Sequence, residues 1–174
     1  MKAALEAQGQ TGVLERIVPA QGGVRGTLGP AYSLGVTVVY EDLPTRRWAG
    51  DFCERIARLV GRESVSTTWW KIAELSDPAV LAGAVSTALR ADVIVVALRA
   101  AEGLPLPFYV WVDAWLPHRP QGLSALVALI AMPDNPGARL DRARDYLTAV
   151  ARQGRLDFLV EERKLTMEPS ATFA

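Results

Sequence analysis

The stretch Ala91-Asp92-Val93-Ile94-Val95-Val96-Ala97-Leu98-Arg99, followed by Ala100-Ala101-Glu102-Gly103-Leu104-Pro105, decides the fold. Its run of apolar and β-branched residues predicts a strand that is buried on both faces. The polar segment after it, punctuated by Gly and Pro, predicts a loop that opens a helix. In open α/β sheets, ligands bind beside such loops, at the carboxyl ends of the strands. This loop offers Arg99 and Glu102.

The same alternation of strand and helix patterns continues along the chain. Apolar runs predict five strands, at residues 35–40, 65–72, 91–98, 123–130 and 156–160. Amphipathic segments between them predict four helices, which begin near Pro44, near Ser76-Asp77-Pro78 with Ser76 as N-cap, before Phe108, and at Asn135-Pro136. We therefore predict a three-layer α/β/α domain whose five-stranded parallel sheet has the order 2-1-3-4-5.

Three regions follow from this pattern. Residues 1–33 are rich in Gly and Gln and predict a loosely ordered N-terminal arm with one short element around residues 14–18. Residues 34–164 form the α/β domain, and residues 165–174 form a tail. No internal repeat of 20 to 50 residues is visible in the sequence.

Composition excludes several classes of protein. The 174 residues contain 19 Lys and Arg against 19 Asp and Glu, so the chain lacks the basic field of a nucleic-acid-binding protein. The single cysteine, Cys53, excludes an internal disulfide, and the single histidine, His118, excludes a site of paired histidines. Since no apolar run has the length of a membrane helix or a signal peptide, we expect a soluble cytoplasmic protein without membrane association.

Two segments resemble known families of this architecture. Residues 91–116 (ADVIVVALRAAEGLPLPFYVWVDAWL) resemble the third strand, loop and helix of flavodoxin-like proteins, in which the loop packs against a flavin. Residues 36–61 (VTVVYEDLPTRRWAGDFCERIARLVG) resemble the opening of response-regulator receiver domains, whose acidic pair after the first strand holds Mg²⁺. Glu41 and Asp42 match that pair. Both resemblances imply the flavodoxin-like superfold.

The residues that carry each family's chemistry are different here. A flavodoxin cradles the flavin phosphate on a turn rich in Ser, Thr and Gly, where this chain has Glu41-Asp42-Leu43-Pro44. A receiver needs an Asp at the end of strand three, where Ala97 and Leu98 stand, and Ser or Thr after strand four. Lys164 lies too far beyond the predicted last strand to match the receiver lysine. We therefore expect no cofactor, with FMN or Mg²⁺ as alternatives.

The predicted topology brings six polar residues to the carboxyl edge of the sheet as a ligand or partner site: Glu41, Asp42, Arg99, Glu102, Asp134 and Asn135. Each has a structural alternative. The two acids after strand one could hold a divalent cation, or Asp42 could cap the helix that follows. Asp134 and Asn135 could join them or open the last helix. Arg99 could bind an anion or a partner's carboxylate, or pair with Glu102.

Other conspicuous residues have ordinary explanations. Arg46 and Arg47 oppose the dipole of the first helix, which hints at an anion or partner contact, but solvated surface is the better explanation of the pair. Cys53 is expected to be buried filler and His118 a surface loop residue. Trp69 and Trp70 point to opposite sides of one strand, so both could be core, or one could anchor an interface.

These observations favour a non-catalytic regulatory or protein-interaction module of the pseudo-receiver type, which binds another protein or a second copy of itself. One alternative is an enzyme that binds a flavin or another small molecule in the crevice at the carboxyl edge. A third possibility is a structural subunit of an assembly that uses the strand at residues 69 and 70.

Overall fold

The computed structural model describes residues 33–99, 104–132 and 140–165, except for the side chains of residues 140 and 141. The strands are β1 (Leu34–Tyr40), β2 (Val65–Lys71), β3 (Val93–Arg99), β4 (Ala125–Ala131) and β5 (Asp157–Arg163). The α-helices of these ranges are α1 (Leu43–Val60), α2 (Pro78–Arg90), α3 (Leu106–Trp115) and α4 (Leu140–Gly154). Short 3₁₀ helices cover Arg62–Ser64, Ile72–Ser76 and Leu116–His118.

The five strands form one parallel sheet in the order β2-β1-β3-β4-β5, which confirms the predicted topology. β1 lies between β2 and β3, with Leu34 opposite Val65 and Tyr40 opposite Ala97. Since parallel strands need a crossover between them, each strand is connected to the next strand of the chain through a helix. All the strands end at one edge, so the predicted site loops lie together there.

Helices cover the two faces of the sheet unequally. Alternate residues of β3 enter two separate cores: Ile94, Val96 and Leu98 face one, and Val93, Val95 and Ala97 face the other. Within the described residues, three helices (α2, α3 and α4) pack on the first face and α1 alone packs on the second. Burial on both faces explains the continuous apolar runs of β3 and β4.

Side-chain caps and prolines set where the helices begin. Asp42 is the N-cap of α1 and Asp77 is the N-cap of α2, and each helix has a proline in its first turn. The prediction that Ser76 caps α2 is wrong, because Asp77 accepts the amides of Ala79 and Val80. α1 ends at Val60 and is capped by Gly61, whose φ of 92° favours glycine.

An arginine from a distant loop donates hydrogen bonds to the backbone carbonyls at the carboxyl end of α2. The Arg119 guanidinium donates to the carbonyls of Ala88 and Ala91, and it is the only described side chain that reaches both. Burial lowers the pKa of Arg119, against the opposite influence of the Asp92 carboxylate. Sequence patterning does not reveal this contact, since the arginine follows α2 by about thirty residues.

β5 is longer than predicted, and side-chain hydrogen bonds and an ion pair connect it to α1. It runs from Asp157 to Arg163 and includes three charged residues that read as loop in the sequence. The Glu161 carboxylate, whose side chain is 10% exposed, accepts the indole N–H of Trp48 at 3.3 Å and the guanidinium of Arg55 at 3.0 Å. Arg163 donates to the same carboxylate at 3.1 Å. These bonds explain how a polar segment forms an ordered edge strand.

Several sequence predictions fall on residues outside the described ranges. They are the arm before residue 33, the loop residue Glu102, the residues Asp134 and Asn135, and the tail after residue 165. The start of the last helix at Asn135-Pro136 belongs with them. In the part of the chain that is described, no helix has both the length and the apolar character needed to cross a bilayer.

Candidate functional site

The corner between β1 and α1 is closed by a reciprocal pair of hydrogen bonds. The Asp42 Oδ1 atom accepts the Thr45 amide at 3.0 Å, and the Thr45 hydroxyl oxygen accepts the Asp42 amide at 2.9 Å. This is a capping box, and Thr45 is fully buried within it. The interpretation of Asp42 as the helix cap is thereby confirmed.

Arg99 joins the end of β3 to the same corner. Its Nε atom forms an ion pair with Asp42 Oδ2, and its backbone N–H donates to Glu41 Oε2 at 2.6 Å. The side chains of Arg99 and Asp42 are 25% and 35% exposed, so the pair lies at the surface of the edge. The structure thus brings together three of the predicted site residues: Glu41, Asp42 and Arg99.

The Asp42 carboxyl has a pKa below its ordinary value. Burial raises this pKa, but the hydrogen bonds from Arg99 and Thr45, together with the charge of Arg99, lower it by more. Every one of those bonds is made to the ionised carboxylate. The Asp42 carboxylate is therefore an anion whose partners come from the same chain. Asp42 therefore stays charged throughout the neutral pH range.

The sequence offers other partners for Arg99, Glu41 and Asp42, and the structure tests only some of them. Arg99 forms an ion pair with Asp42, and its alternative pair with Glu102 is untested, since Glu102 lies outside the described residues. The positions of Glu102, Asp134 and Asn135 at this edge stay predictions. No group of three or more acidic, His or Cys side chains that could hold a metal ion occurs among the described residues. An Mg²⁺ ion at Glu41 and Asp42 would have to displace the bonds from Arg99.

The two tryptophans of β2 are anchored inside the domain on opposite faces. Trp69 packs edge-on against Tyr40, with the Arg46 guanidinium 4.9 Å from its ring centroid. Trp70 lies under α2 and donates its indole N–H to Thr87 at 3.0 Å. Both rings are half-buried. The cation–π contact gives Arg46 a partner that the sequence analysis did not find.

Cys53 and His118 lie as predicted. Cys53 is buried on α1, and burial, together with the nearby Glu54 charge, raises the pKa of its thiol to about 12. It is therefore a thiol at neutral pH rather than a nucleophilic thiolate. His118 ends the 3₁₀ helix Leu116–His118 and is exposed.

Two exposed leucines flank the corner. Leu43 begins α1 and is 54% exposed, and Leu106 begins α3 and is 74% exposed. Because α1 follows β1 and α3 follows β3, and these strands pair, both leucines stand at the carboxyl edge. They add apolar surface beside the charged pair of Asp42 and Arg99.

Comparisons with solved structures agree on one architecture. A short-chain flavodoxin associated with a non-canonical PDU bacterial microcompartment superposes with a TM-score of 0.57 at 18% identity, covering 79% of this chain and 87% of that chain. The flavodoxin of Streptococcus pneumonia TIGR4 gives 0.52 at 15% identity, covering 77% and 87%. The Trp repressor binding protein from Bacillus subtilis gives 0.54 at 10% identity, covering 78% and 90%.

This chain has a flavodoxin-like fold. At these identities the similarity shows the fold alone. No protein-family model matches the sequence, and no curated protein matches it either. The resemblance predicted from residues 91–116 is confirmed at the level of architecture.

The corner does not fit the phosphate of a flavin. A flavodoxin-like phosphate bed needs free backbone N–H groups after β1, but here the amides of Glu41, Asp42 and Thr45 are already bonded within the chain. The Glu41 amide donates to the Ala97 carbonyl at 3.0 Å, and the Asp42 and Thr45 amides bond within the capping box. Pro44 has no N–H, and the Asp42 carboxylate would repel a phosphate.

The phosphoacceptor Asp of a receiver is likewise missing from the matching position of this flavodoxin-like fold. Ala97 and Leu98, fully buried near the end of β3, stand where a receiver has its phosphoacceptor. One detail of the sequence analysis was wrong: β5 reaches Arg163, so Lys164 directly follows the strand instead of lying far beyond it. A lysine is thus available at this edge, without an acceptor Asp in β3.

Proposed function

We propose that this chain is a non-catalytic protein-binding module that uses the carboxyl edge of a flavodoxin-like fold. The observation that carries the proposal is the corner of Asp42, Thr45 and Arg99. A bound phosphate would depend on free amides and on an unpaired positive charge. Here the amides of Asp42 and Thr45 are hydrogen-bonded within the corner, and Arg99 is paired with Asp42.

The surface around that corner supports binding to a protein. Protein interfaces combine apolar anchors with a polar rim, and Arg is enriched in them. Leu43 and Leu106 are the exposed anchors at this edge, and Arg99 and Asp42 supply charge of both signs. A partner that carries its own acidic and basic side chains around an apolar centre would match this surface.

Flavin titration tests the cofactor side of the proposal. FMN is added to the purified full chain while flavin fluorescence is followed, and native mass spectrometry records the freshly purified protein. We expect unquenched flavin and a mass equal to that of the chain. A stoichiometric FMN complex, in either measurement, would overturn the proposal in favour of the flavin-binding alternative.

A matched set of leucine variants tests the binding side. Partners are captured on immobilised full chain from a lysate of the source organism and quantified by mass spectrometry. Leu43→Ser with Leu106→Ser is compared with Leu123→Ser, since Leu123 is 79% exposed but precedes β4 at the opposite edge. A specific partner should fall at least tenfold with the double variant and stay unchanged with the control. Equal capture by all three proteins would contradict use of the carboxyl edge.

A further inference from the structure

A groove runs between α1 and the edge strand β2, away from the corner described above. Its volume is about 670 Å³. Its walls are small side chains of α1 and the outer residues of β2, namely Gly50, Cys53, Ala57, Val65, Thr67 and Trp69. Charged side chains form its rim, including the ion pair of Glu54 and Arg62.

The groove exists because α1 does not cover the whole face of the sheet. On this face Leu34, Val36 and Val38 of β1 are at most 2% exposed. The residues of β2 on the same face (Val65, Thr67 and Trp69) are only half-buried. The opposite face carries three of the described helices. The sheet over β2 is therefore only partly covered, and the groove leaves room there for a further element beside α1.

The side of α1 that borders the groove suits a helix. Gly50, Cys53 and Ala57 follow one another at intervals of three and four residues, so they form one row along the helix. Small side chains in such a row let a second helix approach closely, with its ridges in the grooves of the first. A Cβ atom added at Gly50 would stand 4.0 Å from the Trp69 ring, an ordinary van der Waals contact, so this position accepts a side chain without a clash.

We propose that the groove is the docking site of the chain's own N-terminal arm, through the apolar side chains of residues 13–18. The arm joins β1 at Leu34, which pairs with Val65 in the wall of the groove. The 33 residues of the arm outnumber the 18 residues of α1, so the arm can run the length of the groove. In a helix, Leu14, Ile17 and Val18 would share one apolar face.

The C-terminal tail is a poorer occupant. It follows β5, at the far edge of the sheet, where Leu165 packs against the core under α1. Four strand spacings, about 19 Å, separate β5 from β2. α1 lies between them, because it contacts β5 through Trp48 and Arg55. Of the two terminal segments, only the arm connects to the described domain beside the groove, at Leu34.

Cys53 gives a direct readout in the full chain, because it is the chain's one cysteine and lies in the groove wall. Its rate of modification by a maleimide is measured for the wild type and for Leu14→Asp with Ile17→Asp. We expect the double variant to react at least tenfold faster. Leu123→Asp, an equally drastic change at an exposed leucine outside the groove, should leave the rate unchanged.

A second variant blocks the groove instead of the arm. Gly50→Leu adds a bulky side chain to the groove wall beside Trp69. We expect tryptic cleavage at Arg16 and Arg25 to be at least fivefold faster in this variant than in the wild type, with an unchanged melting temperature. Equal rates in both assays would overturn the proposal. So would protection of Cys53 that rises with protein concentration, which would assign the groove to a second copy. Neither assay depends on the carboxyl edge, so this proposal and the proposed function fail separately.

Discussion

Arg99 forms an ion pair with Asp42, the residue that caps α1, although 57 residues separate them in the sequence. The end of β3 and the start of α1 are therefore held at one point. Since both residues also lie on the surface proposed for partner binding, changes at this point test the architecture and the proposed function together.

Replacing the cap should weaken the domain in two separable steps. Asp42→Asn keeps a side-chain oxygen for the Thr45 amide but loses the charge that Arg99 faces, so we expect a loss below about 1 kcal/mol. Asp42→Ala loses the cap as well, at a total cost of about 1–2 kcal/mol. Urea denaturation gives both values. If Asn is as damaging as Ala, the ion pair rather than the cap dominates.

The stability of the domain should depend on pH through Asp42. Its pKa is lowered in the folded protein, so its stabilisation is complete above the unfolded pKa, close to 3.8, and disappears as pH falls through the folded pKa. The difference in unfolding free energy between wild type and Asp42→Asn should be constant from pH 7 to 5 and shrink below pH 4. A difference that grows on acidification would mean that the pKa is raised instead.

Glu161 should be more important than the neighbouring Glu162. Glu161→Ala removes the acceptor of the buried Trp48 indole N–H, which costs about 1–3 kcal/mol. Glu161→Gln keeps an acceptor oxygen and should cost less. Glu162→Ala is the matched control, since Glu162 pairs only with the exposed Arg144 among the described residues, and should cost under about 1 kcal/mol. Guanidinium denaturation monitored by Trp fluorescence ranks the three.

Gly83 should resist replacement by the best helix former. In most helix interiors, Gly→Ala stabilises by about 1 kcal/mol. At Gly83 the added Cβ would stand 2.8 Å from Cη2 of Trp70, a rigid ring fixed by its bond to Thr87, and such overpacking costs about 1–3 kcal/mol.

A double-mutant cycle separates these two effects. We expect Gly83→Ala to lower the melting temperature in the wild-type background. In the Trp70→Phe background, which lacks the outer ring, the same substitution should be neutral or stabilising. Destabilisation of equal size in both backgrounds would show that the ring contact is not the cause.

The sequence was sufficient for the architecture because buried parallel strands leave an unmistakable pattern. Val93–Arg99 and Ala125–Ala131 are apolar on both faces, and that alone requires helices on both sides. β5 was predicted too short because its last residues are charged. Their strand conformation depends on Trp48 and Arg55, which no local pattern reveals.

The sequence predicts that the site residues lie at the carboxyl edge of the sheet, but it does not predict the contacts between them. Topology alone brings Glu41, Asp42 and Arg99 together, since their strands pair in parallel. It does not decide which acid Arg99 contacts, because that depends on side-chain geometry across 57 residues of chain. Thr45 was missed as a member of the corner. The spacing of Asp42 and Thr45 suits a capping box, but Thr replaces the usual Glu or Gln.

The position of β1 inside the sheet, between β2 and β3, limits the order in which the fold can form. β1 is made first among the five strands, yet its partners β2 and β3 arrive only with residues 65–71 and 93–99. During synthesis, the apolar strand β1 therefore stays unpaired on at least one edge until both β2 and β3 have been made. Such distant pairing slows folding and leaves strand edges open to wrong partners. A nascent chain stalled before residue 99 should therefore engage chaperones.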